Sequence, residues 1–284
     1  MRFKLRRLIQ SVFVLTIVSA MNGYVATGSN CSFVPIGTVQ DEQTFEDYII
    51  RTYRRGKGSF EIIRNDERVY ATHGYSFQIR SYREGDRPEN SKSIGADITG
   101  DGNPNLVVSE WTGGTHCCFH LHVFEIGESF RYIQTIRAGH SELADFKNVN
   151  GDAALEFPVA DWTFVYWRTC FSTSPAPRVV LKYDGRKYTM AQELMRKPPL
   201  EQDELIEAVK KIKGYFDRDE GEPDYLLWTR MLELIYAGNM DQAWTLARLS
   251  WPAGIDGREE FLKDFKEQLR KSRFWEEIKE MNRG

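Results

Sequence analysis

The sequence predicts an all-β domain followed by a small α-helical domain, and two observations carry this prediction. Over roughly the first two thirds of the chain, apolar and polar residues alternate in short runs bounded by Gly, Asn and Asp, as in half-buried strands. After Pro199, apolar residues recur every three or four positions, which is helical spacing. The composition changes near MRKPPLEQ (195–202), so we assign 29–197 to the β domain and 198–284 to the helical domain.

The strands of the β domain are predicted from segments rich in β-branched and aromatic residues. The Asp184-Gly185 pair inside the last segment is the dipeptide expected at a tight hairpin turn. In chain order the segments are SFEIIRN (59–65), YSFQIRS (75–81), PNLVVSEW (104–111), FHLHVFEIG (119–127), FRYIQTIRA (130–138), LEFPVADW (155–162) and RVVLKYDGRKYTMAQ (178–192).

Three segments of the helical domain are predicted to be helical. The first, 200–216, should turn a stripe of apolar residues inward. The second, 223–252, should form two helices joined by a Gly-Asn turn, and the third, 256–284, a single last amphipathic helix. The predicted inward residues are Leu205, Ile206, Val209 and Ile212 in the first helix, and Phe261, Phe265 and Leu269 in the last.

The N-terminal segment has the pattern of a secretory signal peptide. Four basic residues precede a short apolar run from Leu8 to Ala20, and small residues follow. We expect a signal peptide over 1–28, cleaved somewhere between 20 and 28, with an uncleaved anchor as the alternative. The run is too short and too interrupted for a stable membrane span. The protein is therefore expected to be exported, to the periplasm or the extracellular space.

Export affects the interpretation of the four cysteines, Cys31, Cys117, Cys118 and Cys170. In an oxidising compartment, four cysteines more often form two disulfides than a metal site. Neighbouring residues on a strand point to opposite faces, so Cys117 and Cys118 should not bond to each other. We expect one bridge to Cys31 and one to Cys170, with the pairing left open.

Charge and composition exclude some classes of partner. Without the four basic residues of the leader, 34 basic residues stand against 41 acidic ones. This balance argues against a protein that binds nucleic acid or an anionic membrane surface. The basic cluster RTYRRGKG (51–58) is interpreted as a solvated loop. An aromatic content of 13% suits β packing and the recognition of carbohydrate or protein.

The stretch DITGDGNPNLVV places oxygen-bearing side chains at the spacing of a calcium loop. Counted from its first residue, oxygens fall at positions 1, 3, 5 and 9, and Gly102 stands at position 6, where a sharp turn needs positive φ. The alternative is an ion-free turn held by Asp and Asn side chains. The predicted calcium ligands are Asp97, Thr99, Asp101, Asn103 (through its backbone carbonyl) and Asn105.

ADITGDGNPNLVV resembles the D-x-[DNT]-G-D-G-x-x-D-L loop of FG-GAP and VCBS-type repeats, which occur in integrin-like β-propellers and in secreted bacterial proteins. In that family the loop joins two strands and commonly binds calcium, which the resemblance implies here as a structural ion. Asn105 departs from the pattern, because it replaces the usual Asp and removes one negative charge. The matching residues are Asp97, Thr99, Gly100, Asp101, Gly102 and Leu106.

A second, weaker copy of the loop lies 51 residues later, in DFKNVNGDAALEFPV (145–159). It has fewer charges and lacks the turn glycine, so we do not expect it to hold an ion. A period near 50 residues fits units of propeller-blade size, of which about three precede the helices. We therefore expect a propeller-like fold, an incomplete propeller or a sandwich. The residues of the second copy are Asn148, Asn150, Asp152 and Glu156.

Within the helical domain, LWTRMLELIYAGNMDQAWTLA (227–247) resembles one tetratricopeptide-like helix hairpin, through Ala237-Gly238 and Ala243-Trp244. A single unit cannot bury its apolar face alone, and no second copy follows at the required period. An ordinary αα-hairpin within a bundle is the preferred interpretation, and it offers a surface on which a partner could dock.

The strand THCCFHLHVFEI carries the alternative metal site. Side chains alternate on a strand, so His116, His120 and His122 should share one partly exposed face. Histidines at alternate positions can reach one zinc or copper ion. Against this, no second Cys/His cluster occurs elsewhere in the sequence.

Signals of catalysis are weak. Glu110, Glu125 and Asp161 could supply a carboxylate pair for glycoside hydrolysis, but nothing in the sequence determines their separation. We predict a non-catalytic, calcium-stabilised β-module that binds a protein or glycan at the cell envelope. The alternative is a transition-metal protein or metal-dependent hydrolase that uses the histidine face.

Overall fold

The structure is a computed structural model that describes residues 34–54, 57–80, 82–83, 91–92, 94–114, 117–140, 145–216 and 225–283. The predicted signal peptide (1–28), Cys31 and His116 lie outside the described residues. In the described part of the chain, no helix is long and apolar enough to cross a membrane.

The first sheet is a four-stranded antiparallel meander. Its β3–β4 turn follows the local rule for tight hairpins, because Asn65 and Asp66 both adopt positive φ, at 48° and 63°. The strands are β1 Thr38–Phe45, β2 Tyr48–Arg54, β3 Gly58–Arg64 and β4 Glu67–Gly74.

The second sheet has the order β10-β9-β8-β5, with every neighbouring pair antiparallel. The chain between β5 and β8 adds a two-stranded ribbon, β6 Tyr82–Arg83 with β7 Ser91–Lys92. The strands of the second sheet are β5 Ser76–Ile79, β8 Asn105–Trp111, β9 Phe119–Ile126 and β10 Phe130–Gly139.

The third sheet is a three-stranded antiparallel meander of β11 Phe157–Ala160, β12 Arg178–Tyr183 and β13 Tyr188–Met190. The predicted β segments are confirmed as strands, and the Asp-Gly pair joins β12 to β13 as expected. None of the sheets that the structure describes closes into a barrel. The β-rich region with C-terminal helices is thus confirmed, while the propeller remains a prediction.

The interpretation of 51–58 as a solvated loop was wrong for its first half. Arg51 and Arg54 belong to β2, and Arg51 forms an ion pair with Glu42 across the sheet. The alternation of apolar residues before this segment continues into it: Tyr48 and Ile50 are buried, and Arg51 lies on the opposite face. Arg51 therefore lies on the outer face of a strand, and Arg54 stands at its exposed end.

The second sheet is buried on both faces, because two hydrophobic clusters enclose it. One face of β8 and β9 packs against the first sheet, with Leu106 and Phe124 fully buried beside Phe60. The other face, through Val107 and Val123, belongs to a larger cluster that extends into the helices. Because side chains alternate along each strand, β8 and β9 contribute residues to both hydrophobic clusters.

Within the residues that the structure describes, the helical segment begins with a short helix and continues through five longer ones. Ile206 was predicted to face inward but is 55% exposed, because it lies one position, and so about 100° of helix rotation, from Leu205. The segment that was predicted to form a single last helix forms two helices in the structure. The bounds are α1 Gln192–Met195, α2 Gln202–Phe216, α3 Tyr225–Ile235, α4 Met240–Ser250, α5 Arg258–Leu269 and α6 Trp275–Met281.

The helices share a hydrophobic core with the β region. The loop after β11 places Phe164 against Phe265 of α5, with ring centroids 5.0 Å apart, and Trp167 against Trp228 of α3 at 5.5 Å. The α3–α4 hairpin predicted from the sequence is confirmed, with Gly238 at φ 85° in its turn.

Candidate functional site

The loop before β8 has a defined backbone shape. It closes through a β-bridge between Ala96 and Asn105, in which the Asn105 amide donates to the Ala96 carbonyl at 3.0 Å. Inside the closure, Gly100 and Gly102 adopt φ of 71° and 86°. Left-handed backbone at these positions favours glycine, which explains why the sequence has it there.

The two aspartates of this loop hold its backbone amides. Asp97 accepts hydrogen bonds from the amides of Gly100 (2.7 Å) and Gly102 (2.9 Å), and Asp101 accepts one from Asn103 (3.0 Å). These are the Asx-type contacts expected of an ion-free turn. They also aim both carboxylates into the loop.

Oxygen atoms crowd around the Thr99 hydroxyl at the centre of the loop. Its Oγ1 lies 3.3 Å from Asp97 Oδ1, 3.0 Å from Asp101 Oδ1 and 3.1 Å from Asn105 Oδ1. A hydroxyl has one proton, and carboxylate and amide oxygens only accept. At least two of these three contacts therefore bring lone pairs together without a proton between them.

Asn105 is fully buried and its orientation is set by the backbone. Its Oδ1 accepts hydrogen bonds from the amides of Ile98 (2.8 Å) and Thr99 (3.2 Å). These two amides already use both lone pairs of Oδ1, so a calcium ion held by Asn105 would take the place of one of them. Of the predicted ligands, the structure brings Asp97, Thr99, Asp101 and Asn105 together.

A basic side chain that the sequence analysis missed borders this loop. Arg131 Nη2 lies 3.9 Å from Asp101 Oδ2, while the same guanidinium pairs with Glu125 and donates to the Tyr183 hydroxyl at 2.8 Å. The hydrogen bond to Glu125 raises the pKa of Arg131, so the guanidinium stays protonated. Glu125 takes the closest contact, so Asp101 is only partly neutralised.

The second loop repeats the geometry of the first at an offset of 51 residues. It closes through a bridge between Lys147 and Glu156, as Ala96 and Asn105 close the first. Asn148 accepts from the Gly151 amide at 2.6 Å, as Asp97 accepts from Gly100. The side-chain acceptors of the second loop are Asn148 Oδ1, Asn150 Oδ1, Asp152 Oδ1 and Glu156 Oε2.

The two loops differ in how charge is balanced. In the second loop, Lys182 of β12 places its ammonium 2.9 Å from Asp152 Oδ2. The side-chain amide of Asn150 donates to the same oxygen at 2.8 Å. The hydrogen bond from Lys182 lowers the pKa of Asp152. Lys182 was not predicted as a site residue, because only strand pairing brings it to the loop.

The loops lie against each other. A Cβ added at Gly100 would come within 2.6 Å of the Ala154 amide nitrogen, and the Leu155 amide donates to the Ile98 carbonyl at 2.9 Å. The buried Tyr188 hydroxyl donates to that carbonyl at 3.1 Å. A change in the conformation of one loop should therefore disturb the conformation of the other.

The histidine face is partly exposed at His120, as predicted, but it is buried at His122. His122 is 7% exposed and packs against Phe60, with ring centroids 5.5 Å apart. Its Nε2 lies 3.2 Å from Glu110 Oε2, and His120 Nδ1 lies 3.1 Å from the same oxygen. On its other side, His122 Nδ1 contacts Thr135 Oγ1 at 2.8 Å.

Glu110 is therefore an ionised carboxylate between two imidazoles. Burial alone would raise its pKa, but the hydrogen bonds from His120 and His122 outweigh burial and lower the pKa to about 2. The sequence analysis named Glu110 without connecting it to the histidines. The connection comes from the pairing of β8 with β9, which sets Glu110 opposite His120.

The predicted cysteine pairing stays a prediction, because Cys31 lies outside the described residues. Cys117 and Cys118 both precede β9, so the strand alternation assumed for them does not apply. Cys170 is exposed and is not in a disulfide within the described residues. Hydrogen bonds from Ser172 and Thr173 lower the pKa of its thiol to about 7.

The remaining carboxylates proposed for catalysis are engaged in contacts. Glu125 pairs with Arg131, and Asp161 is buried, accepting hydrogen bonds from Tyr236 at 2.6 Å and from Ser272. Among the described residues, no group of three or more His, Cys, Asp or Glu side chains is arranged to hold a metal ion. The first loop contributes two such side chains, and its other oxygens are neutral.

Comparison of the chain with protein families, with curated proteins and with solved structures finds no match.

Proposed function

We propose that the protein is an exported, non-catalytic β-module that binds a protein or glycan at the cell envelope, and that calcium stabilises it in the loop Asp97–Asn105. The observation that carries the calcium proposal is the crowding of oxygens around Thr99 Oγ1, at 3.0–3.3 Å from three acceptor oxygens. The resemblance to FG-GAP and VCBS-type repeats supports the same role.

Calcium matches this chemistry. It takes six to eight hard oxygen ligands from carboxylates, amides, backbone carbonyls and water. The loop offers two carboxylates, a hydroxyl and an amide oxygen, and the Asn103 carbonyl stands at the position that the sequence pattern assigns to a ligand. A divalent cation would replace repulsion among these oxygens with attraction, which makes its effect structural.

Surface aromatic residues support a binding role. Tyr75 is 41% exposed, and its ring meets Trp111 edge-on at 5.0 Å, at one end of the second sheet. Aromatic rings with a polar tip are enriched where proteins bind partners. If this pair contacts the partner, Tyr75→Ala should weaken binding on a glycan array or to envelope proteins, while the exposed Leu249→Ala should not.

The alternative, a zinc or copper protein or metal-dependent hydrolase on His116, His120 and His122, stands on the contact of Glu110 with two histidines. Glu110, His120 and His122 satisfy one another without a metal. The calcium proposal is favoured because at least two of the three contacts of the Thr99 hydroxyl bring acceptor oxygens together without a proton.

The calcium proposal is tested by thermal unfolding of chelator-stripped protein, without and with millimolar calcium, beside Asp101→Ala and a control, Asp203→Ala. Asp203 is an exposed acidic residue in the first turn of α2. Calcium should raise the Tm of the wild type and of the control, because binding to the folded state alone stabilises it. Asp101→Ala should lose most of that shift. Equal Tm values with and without calcium in the wild type would refute the proposal.

A further inference from the structure

The second loop contains a buried carboxylate that is only half satisfied. Glu156 is fully buried. Its Oε2 accepts a hydrogen bond from the Val149 amide at 2.8 Å. Its Oε1 is also buried and has no hydrogen-bond partner among the described residues. A buried carboxylate oxygen without a hydrogen-bond donor or a cation is costly. Glu156 Oε1 therefore indicates a bound partner that is not one of the described protein groups.

The surroundings of Glu156 favour a cation. Asn148 Oδ1, Asn150 Oδ1 and Asp152 Oδ1 each accept one backbone amide, at 2.6, 3.0 and 3.0 Å, and an oxygen of this kind has a second lone pair to offer. The loop has two carboxylates, of which Lys182 pairs directly with Asp152. The negative charge of Glu156 is left without a direct partner.

We propose that the loop Asn148–Glu156 is a second calcium site, for which the Lys182 ammonium competes. The inference rests on the proposed calcium role of the first loop, whose geometry this loop repeats, and it revises the sequence-based expectation that the second loop holds no ion. Glu156 supplies at the ninth position the negative charge that Asn105 lacks in the first loop. This charge offsets the one that is absent at Asn148, which stands where the first loop has Asp97.

Lys182 provides the means to test competition. Its side chain is 31% exposed and that of Asp152 is 43% exposed, so their ion pair is at the surface and contributes little to stability. Removing the ammonium by Lys182→Gln should leave the fold intact. It should raise the calcium affinity of one site several-fold, because a positive charge beside the ion is lost.

The experiment is calorimetric titration of the chelator-stripped protein with calcium chloride, in the wild type, Glu156→Gln, Asp101→Ala and Lys182→Gln. Glu156→Gln keeps an acceptor for the Val149 amide and removes the charge. We expect two ions per chain in the wild type, one in Glu156→Gln and one in Asp101→Ala. Lys182→Gln should keep two ions and bind one of them more tightly.

Other outcomes separate the two proposals. One ion in the wild type, lost in Asp101→Ala and kept in Glu156→Gln, would overturn the second site and leave the first. One ion lost only in Glu156→Gln would support the second site and overturn the first. No binding would overturn both. If Glu156→Gln fails to fold, Lys182→Gln decides, since unchanged affinity at every site would overturn the competition.

Discussion

Asn105 and Glu156 occupy the same place in two successive loops. Each accepts a hydrogen bond at 2.8 Å from the backbone amide two residues after the bridge that closes its loop, Ile98 in one case and Val149 in the other. Both side chains are fully buried. One is a neutral amide and the other a carboxylate, so the same backbone shape carries two different charge balances.

This relationship predicts the effect of Asn105→Asp. The added charge should strengthen calcium binding in the first loop, because a carboxylate attracts the ion more than an amide does. Without calcium the variant should be less stable than the wild type, by about 1–3 kcal/mol, since a buried charge is left uncompensated. Calorimetric titration and urea unfolding with and without calcium measure both effects. Weaker calcium binding in Asn105→Asp would argue against a ligand at this position.

Packing between the loops predicts that Gly100→Ala is more damaging than Gly151→Ala. Both glycines have positive φ, 71° and 84°, so alanine costs about 1–2 kcal/mol at either. Only at Gly100 would the new Cβ meet backbone, at Ala154, whereas Gly151 has open space. We expect a total loss of about 3 kcal/mol for Gly100→Ala. Urea unfolding of the matched pair provides the measurement, and equal losses would contradict the described contact between the loops.

The carboxylate of Glu110 predicts a pH-dependent contribution to stability. Its folded pKa, about 2, lies below the model-compound value of 4.5. The contribution should therefore be present above about pH 4.5 and be lost as the pH falls toward 2, with a size on the order of 3 kcal/mol. Comparing the free energy of unfolding of the wild type and Glu110→Gln from pH 2 to 6 isolates it. A difference that does not shrink at low pH would contradict this assignment.

The shared core predicts that the helices unfold together with the β region. Phe164 is 1% exposed and packs on Phe265 of α5. Phe164→Ala should cost about 3–5 kcal/mol and shift a single transition, seen equally by far-UV and near-UV circular dichroism. Leu249→Ala, at a position 50% exposed, is the control and should change stability little. Separate transitions for helical and aromatic signals would show two independent units.

The histidine alternative has its own test. His120→Ala and His122→Ala should leave the calcium response of the protein unchanged, because their contacts are with Glu110 and Thr135 rather than with the loops. Equilibrium dialysis against zinc or copper, with His140→Ala as the control, measures transition-metal binding. Stoichiometric binding that disappears in both variants would favour the alternative over the calcium module.

Local patterns were sufficient for most strands after residue 75 and for the side chains of the first loop, but they did not identify β1, β2 or β4. Alternation of side chains identified β8 and β9, and the spacing of oxygen-bearing residues from Asp97 to Asn105 identified the side chains that the structure brings together. These features depend on neighbours within a few residues. The pattern could also predict that two loops share a period, because the backbone bridges recur at the same interval.

Contacts set by strand pairing were not accessible from the sequence. Glu110 meets His120 only through the register of β8 and β9, and Lys182 reaches Asp152 only because β12 pairs with β11. The break between α5 and α6 has a similar origin. Ser272 there caps the Phe274 amide and donates to Asp161, more than a hundred residues earlier in the chain.

The most direct test of the calcium account is a crystal structure of the protein grown with calcium, with anomalous diffraction measured to locate the ion. The account predicts a peak about 2.3–2.6 Å from oxygens of Asp97, Asp101 and Asn105. An ordered loop with water or no density at that point, at millimolar calcium, would contradict it.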